Sequence, residues 1–226
     1  MARAIDKGIV SIDIVDIKDY AKGSFRHIDD SPFGGGAGMV MRCQPVLDAL
    51  QAVRDRDPSG DIQSVAMTPA GKPYDQKTTR RFAELSHLVL LCGHYEGMDA
   101  RIFGSIDEEV SMGDYILTGG ELPAMTAIDS VVRLLPGALR GASTEEESFE
   151  DGLLEYPQYT QPREYDGMSV PDVLLSGDHG RIRRYRRREA LRVTKERRPD
   201  LLEQYIADGK LTEEEAELLR ELEEER

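Results

Sequence analysis

Three glycine-bearing segments are the part of this sequence best suited to binding a ligand. They are Thr68–Gly71, Gly93–Gly97 and Ser111–Gly120, which we call the first, second and third glycine loops. Each follows a predicted strand, and open α/β sheets bind ligands beyond the carboxyl ends of their strands. Glycine lets backbone groups approach a ligand closely. With Tyr95 and Tyr115 as walls, the loops predict a pocket for a flat heterocycle such as an adenosine compound.

The plainer alternative is that these glycines only end strands and start turns. Familiar catalytic motifs do not decide the matter, because the sequence has no phosphate-binding G-x-x-x-x-G-K-[ST], no G-x-G-x-x-G and no G-x-S-x-G. Its four histidines are scattered and it has no C-x-x-C pair, so we predict no zinc or other metal site from the side chains.

The elements that would position the loops alternate between strand and helix. Strands are predicted at residues 9–17, 62–67, 88–92 and 106–110, and the apolar run 88–92 is typical of a strand buried on both faces. Helices are predicted in four places: from Pro45, through Arg80, from Glu121, and from Asp178 onward. This alternation predicts an α/β fold with parallel pairing.

Two of the predicted helices carry an apolar stripe. In the helix from Glu121 the stripe is Leu122, Met125, Ile128, Val131, Val132 and Leu135. In the last helix it is Leu211, Leu218, Leu219 and Leu222. Each stripe is expected to face a core.

Composition places the chain among globular proteins. It has 226 residues, 39% hydrophobic and 32% charged, and only two cysteines, which fit a reducing compartment. No apolar run approaches the roughly 20 residues that span a bilayer. We therefore expect a cytoplasmic protein with no membrane contact. The domains are predicted as an α/β domain at 1–140, a flexible acidic linker at 141–160 and a smaller helical domain at 161–226.

The net charge of −14 hides a segregation of charge. Residues 181–198 hold nine arginines and one lysine against two glutamates, whereas residues 199–226 hold eleven acids against three bases. The basic stretch suits phosphate, although a basic helix can also be merely solvated. The acidic tail admits two interpretations, a solvated helix or a device that repels misplaced RNA.

Long segments of the chain resemble bacterial tRNA (guanine-N1)-methyltransferases of the TrmD type. These segments are Phe33–Met41, Leu91–Ile102, Glu108–Gly137, Ser148–Pro162, Val170–Arg186 and the Arg-Arg-Pro-Asp-Leu-Leu around Pro199. The resemblance implies a SPOUT-type parallel sheet with a C-terminal trefoil knot, a rare exception to unknotted topology, plus a smaller helical C-terminal domain. It also implies a homodimer, with no other stable protein partner.

The implied reaction transfers a methyl group from S-adenosylmethionine to N1 of the guanine immediately 3′ of the tRNA anticodon, with magnesium dependence. The resemblance assigns the cofactor to the three glycine loops. The residues are Thr68, Pro69, Ala70, Gly71, Gly93, Tyr95, Glu96, Gly97, Ser111, Met112, Gly113, Tyr115, Leu117, Gly119, Gly120 and Pro123.

The resemblance also implies the catalytic residues. Guanine N1 becomes nucleophilic only as its proton leaves, so a carboxylate is the natural base. The family's base is an aspartate before Ser-Phe, and here that position is Glu147, which reaches about 1.5 Å further. In the alternative interpretation, Glu147 is only one acidic residue of a solvated run that includes Glu145 and Glu146. Arg133 matches the catalytic-site arginine and could stabilise charge on guanine O6, or else be a cation at a helix end.

The remaining implied contacts are to tRNA. Ala37, Gly38 and Ser143 match positions that contact the target guanine, with Ala37 replacing a usual proline. Arg183 and Arg184 stand for the basic stretch, which the resemblance assigns to the tRNA backbone.

The resemblance further implies an opening strand before the position of Arg3, so we expect the chain as given to bind cofactor but to turn over poorly. Two rival functions stay open. One is an RNA-binding protein of this fold with weak or no methylation, and the other is a methyltransferase acting on a different RNA position.

Overall fold

The computed structural model describes residues 1–57, 61–139 and 147–224. The chain divides into two compact units, Met1–Arg140 and Gly141–Arg226. Within the described ranges, no helix combines the length and the apolar character needed to cross a membrane.

Unit 1 alternates strands with helices, as the sequence predicts. Its helices are α1 (Ala2–Asp6), α2 (Cys43–Arg56), α3 (Gln76–Ala83) and α4 (Glu121–Val132), with 3₁₀ turns at Ile17–Tyr20 and Ala100–Ser105. Its strands are β1 (Asp29–Asp30), β2 (Val40–Met41), β3 (Ile62–Pro73), β4 (His87–Cys92) and β5 (Glu108–Ser111). Local chemistry marks the start of α3, since Asp75 caps this helix by accepting from the Thr78 N–H at 2.7 Å.

The main sheet has the order β4-β3-β5, and both pairings are parallel. The predicted parallel α/β architecture is therefore confirmed. The core beneath it joins the sheet to α3 and α4, and consists of Val65, Met67, Phe82, Val110, Ala127 and Val131. Because these side chains come from two strands and two helices, they fix where the strands end.

Three details of unit 1 differ from the sequence-based expectation. The central strand is β3, buried from Ser64 to Met67, whereas β4 is an edge of this sheet and only half-buried. Residues 9–17 form no strand, because no described segment pairs with them, and Ile14 is left 94% exposed. In α4 the buried face is Ala124, Ala127, Val131 and Val132.

The α4 result corrects the predicted stripe, in which Leu122 and Met125 were expected to face the core. They are 59% and 62% exposed, because the small side chains of Ala124 and Ala127 let the helix approach the sheet on another face. Hydrophobic spacing alone did not distinguish the two faces.

Unit 2 is mostly helical after residue 171. It contains the hairpin β6 (Glu164–Tyr165) and β7 (Met168–Ser169), then α5 (Asp172–Leu175), α6 (His179–Arg197), α7 (Pro199–Ala207) and α8 (Glu213–Glu224). Its core is Leu153, Leu191, Leu202, Tyr205, Leu218 and Leu222. The predicted stripe of the last helix is confirmed, since Leu211 and Leu219 pack against this core. Leu153, inside the range predicted as linker, is 1% exposed.

Candidate active site

The three glycine loops begin at the carboxyl ends of the three parallel strands of the main sheet. Met67 on β3 pairs with Cys92 on β4 and with Val110 on β5. The next residues along each strand therefore enter the first, second and third loops side by side. The parallel register thus converts a spacing in sequence into a cluster in space.

The first loop is an excursion within β3. Met67 and Lys72 both pair with Val110, so Thr68–Gly71 bulges out between two contacts with one partner residue. Inside the bulge the Thr68 hydroxyl accepts from the Ala70 N–H at 3.0 Å and donates to Glu109 at 3.2 Å. A Cβ at Gly71 would lie 2.3 Å from the Val110 nitrogen, so this return to the sheet requires glycine.

The second and third loops are joined to each other. The Gly120 N–H donates to the Gly93 carbonyl at 2.8 Å, and His94 forms an isolated bridge with Gly119. His94 Nε2 also lies 2.7 Å from Glu121 Oε1. A Cβ at Gly120 would lie 2.6 Å from the Cys92 Cα, so the loops can close on each other only with glycine there.

Both predicted tyrosine walls are accessible. Tyr115 is 58% exposed and donates from its hydroxyl to the Met112 carbonyl at 3.3 Å, while its ring lies over Gly113. Tyr95 is 52% exposed and has a positive φ of 61°. Among the other predicted cofactor residues, Leu117 is 40% exposed, while Ser111 is buried and turns back through its hydroxyl to Gly113. Pro123 is half-buried in the first turn of α4.

The segment predicted to touch the target guanine lies against the second loop. The Glu96 N–H donates to the Met39 carbonyl at 3.0 Å, and the Met41 N–H donates to the Gly97 carbonyl at 2.9 Å. A Cβ on Gly38 would lie 2.4 Å from the Glu96 Cγ. Ala37 is exposed beside Gly38. Spacing between motifs gave no sign of this contact, since about 55 residues separate the two segments.

The predicted catalytic residues fall in different units. Arg133 is half-buried and caps the C-terminus of α4. This position agrees with the alternative in which Arg133 is a cation at a helix end. Glu147 is half-buried in unit 2, in a turn where its carbonyl accepts from the Glu150 N–H at 3.3 Å. Ser143, Glu145 and Glu146 lie outside the described residues. The roles of Glu147 and Arg133 stay predictions.

The basic stretch forms most of α6, and the acidic tail forms α8 packed against it. Arg184 Nη2 lies 2.6 Å from Glu221 Oε1, and Lys195 Nζ lies 2.7 Å from Glu223 Oε1. The acidic helix is therefore more than a solvated tail, since it neutralises one side of α6. Arg183 is exposed and its side chain makes no ion pair within the described part of the chain.

The thiol of Cys92 is a titratable group near the loops to which the sequence assigned no role. Cys92 ends β4 directly before the second loop, and burial, with a smaller contribution from Glu121, raises its pKa to about 11. The thiol is therefore protonated at neutral pH and is not a nucleophile. Within the described ranges, no group of three or more His, Cys, Asp or Glu side chains could hold a metal ion.

A family model for tRNA (guanine-1)-methyltransferase TrmD matches residues 1–204. The chain belongs to this family. Relatives named tRNA (guanine-N(1)-)-methyltransferase agree. The one from Dictyoglomus turgidum is 47% identical over 226 residues, which is 100% of this chain and 89% of the relative. The one from Anaeromyxobacter sp. is 52% identical over 223 residues, which is 97% of this chain and 87% of the relative.

A third relative, from Listeria innocua, is 51% identical over 205 residues, covering 90% of this chain and 84% of its own. Membership in the TrmD family makes the chain a methyltransferase, and it implies S-adenosylmethionine as the methyl donor. The joined loops at the carboxyl ends of the strands are the candidate binding site for that donor.

Proposed function

We propose that this protein transfers a methyl group from S-adenosylmethionine to N1 of the guanine immediately 3′ of the anticodon in tRNA. The observation that carries the proposal is the convergence of the three glycine loops with the Gly38 segment, in a chain of the TrmD family. Donor and target base then lie side by side within unit 1. The relatives' shared name does not favour either rival function.

The loops fit S-adenosylmethionine through their main chain. They start at three neighbouring strand ends, two of them are hydrogen-bonded together, and Tyr95 and Tyr115 keep more than half of their surface accessible. When bound, S-adenosylmethionine supplies an activated methyl group on its sulfonium. Main-chain groups of the second and third loops would hold the donor without adding charge. Preorganised backbone of this kind lowers the entropic cost of alignment.

The remaining chemistry falls to side chains of this protein. Glu147 accepts the proton from guanine N1, which frees the lone pair for the methyl group. Arg133 stabilises the negative charge that develops on O6. Another carboxylate of the same acidic stretch, that of Asp151, is ion-paired with Arg187. Within the described residues no group of three or more His, Cys, Asp or Glu side chains could hold a metal ion, and the magnesium dependence stays a prediction.

A second copy of the chain is part of the proposal. Exposed apolar side chains lie in the third loop and on the adjacent face of α4: Tyr115, Ile116, Leu117, Leu122 and Met125, all 40–80% exposed. A contiguous apolar face beside a polar site is typical of a subunit interface. It supports the homodimer, and we place the trefoil knot of the SPOUT fold in the chain around the same loops.

Unit 2 is proposed to bind tRNA through exposed arginines of α6, within a helical domain from about residue 161. Arg183 is one such residue, and phosphate contacts of this kind position the RNA without reading its sequence. Work on tRNA in a bacterial cell implies the cytoplasm. The target base must leave the anticodon-loop stack to reach the donor.

The decisive experiment measures transfer of labelled methyl from S-adenosylmethionine to unmodified tRNA transcripts. A transcript with guanine 3′ of the anticodon is expected to accept label at N1, and the same transcript with adenine there is the control. Mapping the methylated nucleotide separates the proposal from action at another position. Binding of tRNA with no transfer would instead support the RNA-binding alternative.

A further inference from the structure

A cavity of about 380 Å³ lies within unit 2, away from the glycine loops in sequence. Its lining comes from residues 156–163 and from segments around Val170, Leu174, Ile182 and Arg186. The volume falls in the range of small-ligand sites, about 300 to 1,000 Å³. No residue of the three glycine loops lines it.

The lining has the chemistry of a nucleotide site. Val170 and Ile182 supply apolar surface, and Tyr156 and Tyr159 supply aromatic rings. The guanidinium of Arg186 lies 4.7 Å from the centroid of the Tyr156 ring, so one wall is a stacked tyrosine–arginine pair. Unpaired RNA bases are recognised on such aromatic and guanidinium planes.

The charge of the lining favours an anion. It contains Arg163 and Arg186 and no carboxylate. On α6, by comparison, Arg184 is paired with Glu221. The side chain of Arg163 is exposed and makes no ion pair within the described residues. A positive charge left available beside an aromatic cavity is the arrangement that single-stranded nucleic acid requires.

Tyr159 is an exposed aromatic residue of the lining. Its ring is 46% exposed, and its hydroxyl is hydrogen-bonded to Tyr185. Burial, with Glu189 and Tyr159 adding to it, raises the pKa of Tyr185 to about 12, so the Tyr185 hydroxyl keeps its proton at neutral pH. The hydrogen bond links Tyr159 to α6, which carries Tyr185.

We propose that this cavity binds one unstacked nucleotide of the tRNA other than the methylated guanine, with its base against Tyr159 and its phosphate at Arg163. The inference rests on the proposed function, because that function makes tRNA the ligand. It adds a second recognition point that depends on an unpaired nucleotide. A helical RNA segment, whose bases are stacked and paired, cannot fill the cavity.

Binding of the full chain to an unmodified tRNA transcript tests the proposal. Tyr159→Ala is expected to weaken binding roughly 5- to 150-fold, the range for loss of one base–aromatic stack. Tyr159→Phe keeps the ring and is expected to bind like the unaltered protein. Tyr165→Ala, on a tyrosine that is 70% exposed in the nearby hairpin, is the matched control and should have no such effect.

The salt dependence separates the phosphate contact from the stack. Arg163→Gln is expected to reduce the slope of log affinity against log salt by about 0.7, whereas Tyr159→Ala should leave it unchanged. Binding to a fully paired RNA duplex of equal length should be unaffected by Tyr159→Ala. Unfolding midpoints of all variants identify any that fail to fold.

Two results would overturn the proposal. Equal affinities for Tyr159→Ala and Tyr165→Ala would show that the cavity does not hold RNA. If Tyr159→Ala lowered kcat at saturating tRNA and left KM unchanged, the cavity would bind the methylated guanine itself rather than another nucleotide. If the unaltered protein did not methylate tRNA, only the proposed function would be contradicted. The proposal for the cavity would still be tested, because the binding comparison does not need turnover.

Discussion

His94 Nε2 lies 2.7 Å from Glu121 Oε1, and this contact joins the second glycine loop to the residue that starts α4 after the third. The two backbones meet beside it, where Gly120 donates to Gly93. The pair therefore helps to hold two parts of the proposed donor site at a fixed separation.

Removing the pair should weaken binding of S-adenosylmethionine modestly. Both side chains are about half exposed, so the contact is worth about 0.2–1 kcal/mol, which is a loss of roughly 1.4- to fivefold in affinity for Glu121→Gln. Calorimetric titration with S-adenosylmethionine measures it. Glu84→Gln, an exposed acid of the same unit, is the control. Equal affinities for the two variants would mean that the pair does not position the loops.

Gly71→Ala should disrupt the first loop. The new Cβ would lie 2.3 Å from the Val110 nitrogen and 2.5 Å from the Glu109 carbonyl carbon, and backbone atoms of the paired strand β5 cannot move aside cheaply. We expect about 1–3 kcal/mol of destabilisation and a clear loss of donor binding, measured by unfolding and by titration. Gly104→Ala, where nothing lies within 4 Å, should be tolerated. A stable Gly71→Ala protein that binds the donor normally would contradict the bulge geometry.

Glu147→Gln should abolish methyl transfer while leaving binding of S-adenosylmethionine intact, because the amide cannot accept the N1 proton. Loss of a general base typically costs about 10²- to 10⁴-fold in rate. Single-turnover transfer to guanine-bearing tRNA measures it, and Glu147→Asp, which keeps a carboxylate, should retain part of the rate. Near-normal turnover of Glu147→Gln would move the role to Glu146 or Asp151.

The buried ion pair of unit 2 should make its stability depend on pH. Arg187 Nε lies 2.5 Å from Glu215 Oε1, and Tyr205 also donates to that carboxylate. Burial opposes the charge on Glu215, but the Thr212 N–H and Arg187 outweigh it and lower the pKa below 4.5. The stabilisation is therefore present above pH 4.5 and is lost as the pH falls through the lower folded-state pKa.

Glu215→Ala should accordingly lower the free energy of unfolding by about 3 kcal/mol at pH 7, because it leaves a partly buried guanidinium without that partner. Denaturant unfolding at several pH values measures the difference, which should shrink in acid. Glu217→Ala, exposed on the same helix, is expected to change little. A difference that does not vary with pH would rule out the ionic contribution.

The arginines of α6 should contribute unequally to tRNA binding. Arg183→Gln removes a charge that no acid neutralises within the described residues, so it should cost more affinity than Arg184→Gln, whose partners are Glu221 and Glu214. Glu221→Gln should remove the closer of the two acidic partners of Arg184 and strengthen binding. Filter binding across a salt series measures all three, with a slope change of about 0.9 or less per phosphate contact. Equal losses for the two arginine variants would contradict this role of α8.

The sequence by itself determined the parallel α/β pattern, the helices after Asp178 and the three glycine loops. These are local properties: β-branched runs, apolar periodicity and glycine placement each act over a few residues. The resemblance added the chemistry, because long specific segments carried it. The same local information failed for residues 9–17, whose strand character needs a partner that the described chain does not supply.

Only the tertiary structure decided what faces what. The α4 stripe could not show that Ala124 and Ala127, rather than Leu122 and Met125, meet the sheet, because packing distance selects the small residues. The contact of Gly38 with Glu96 and the pairing of α8 with α6 join residues far apart in sequence. Such contacts arise from chain folding in three dimensions, and no periodicity along one dimension encodes them.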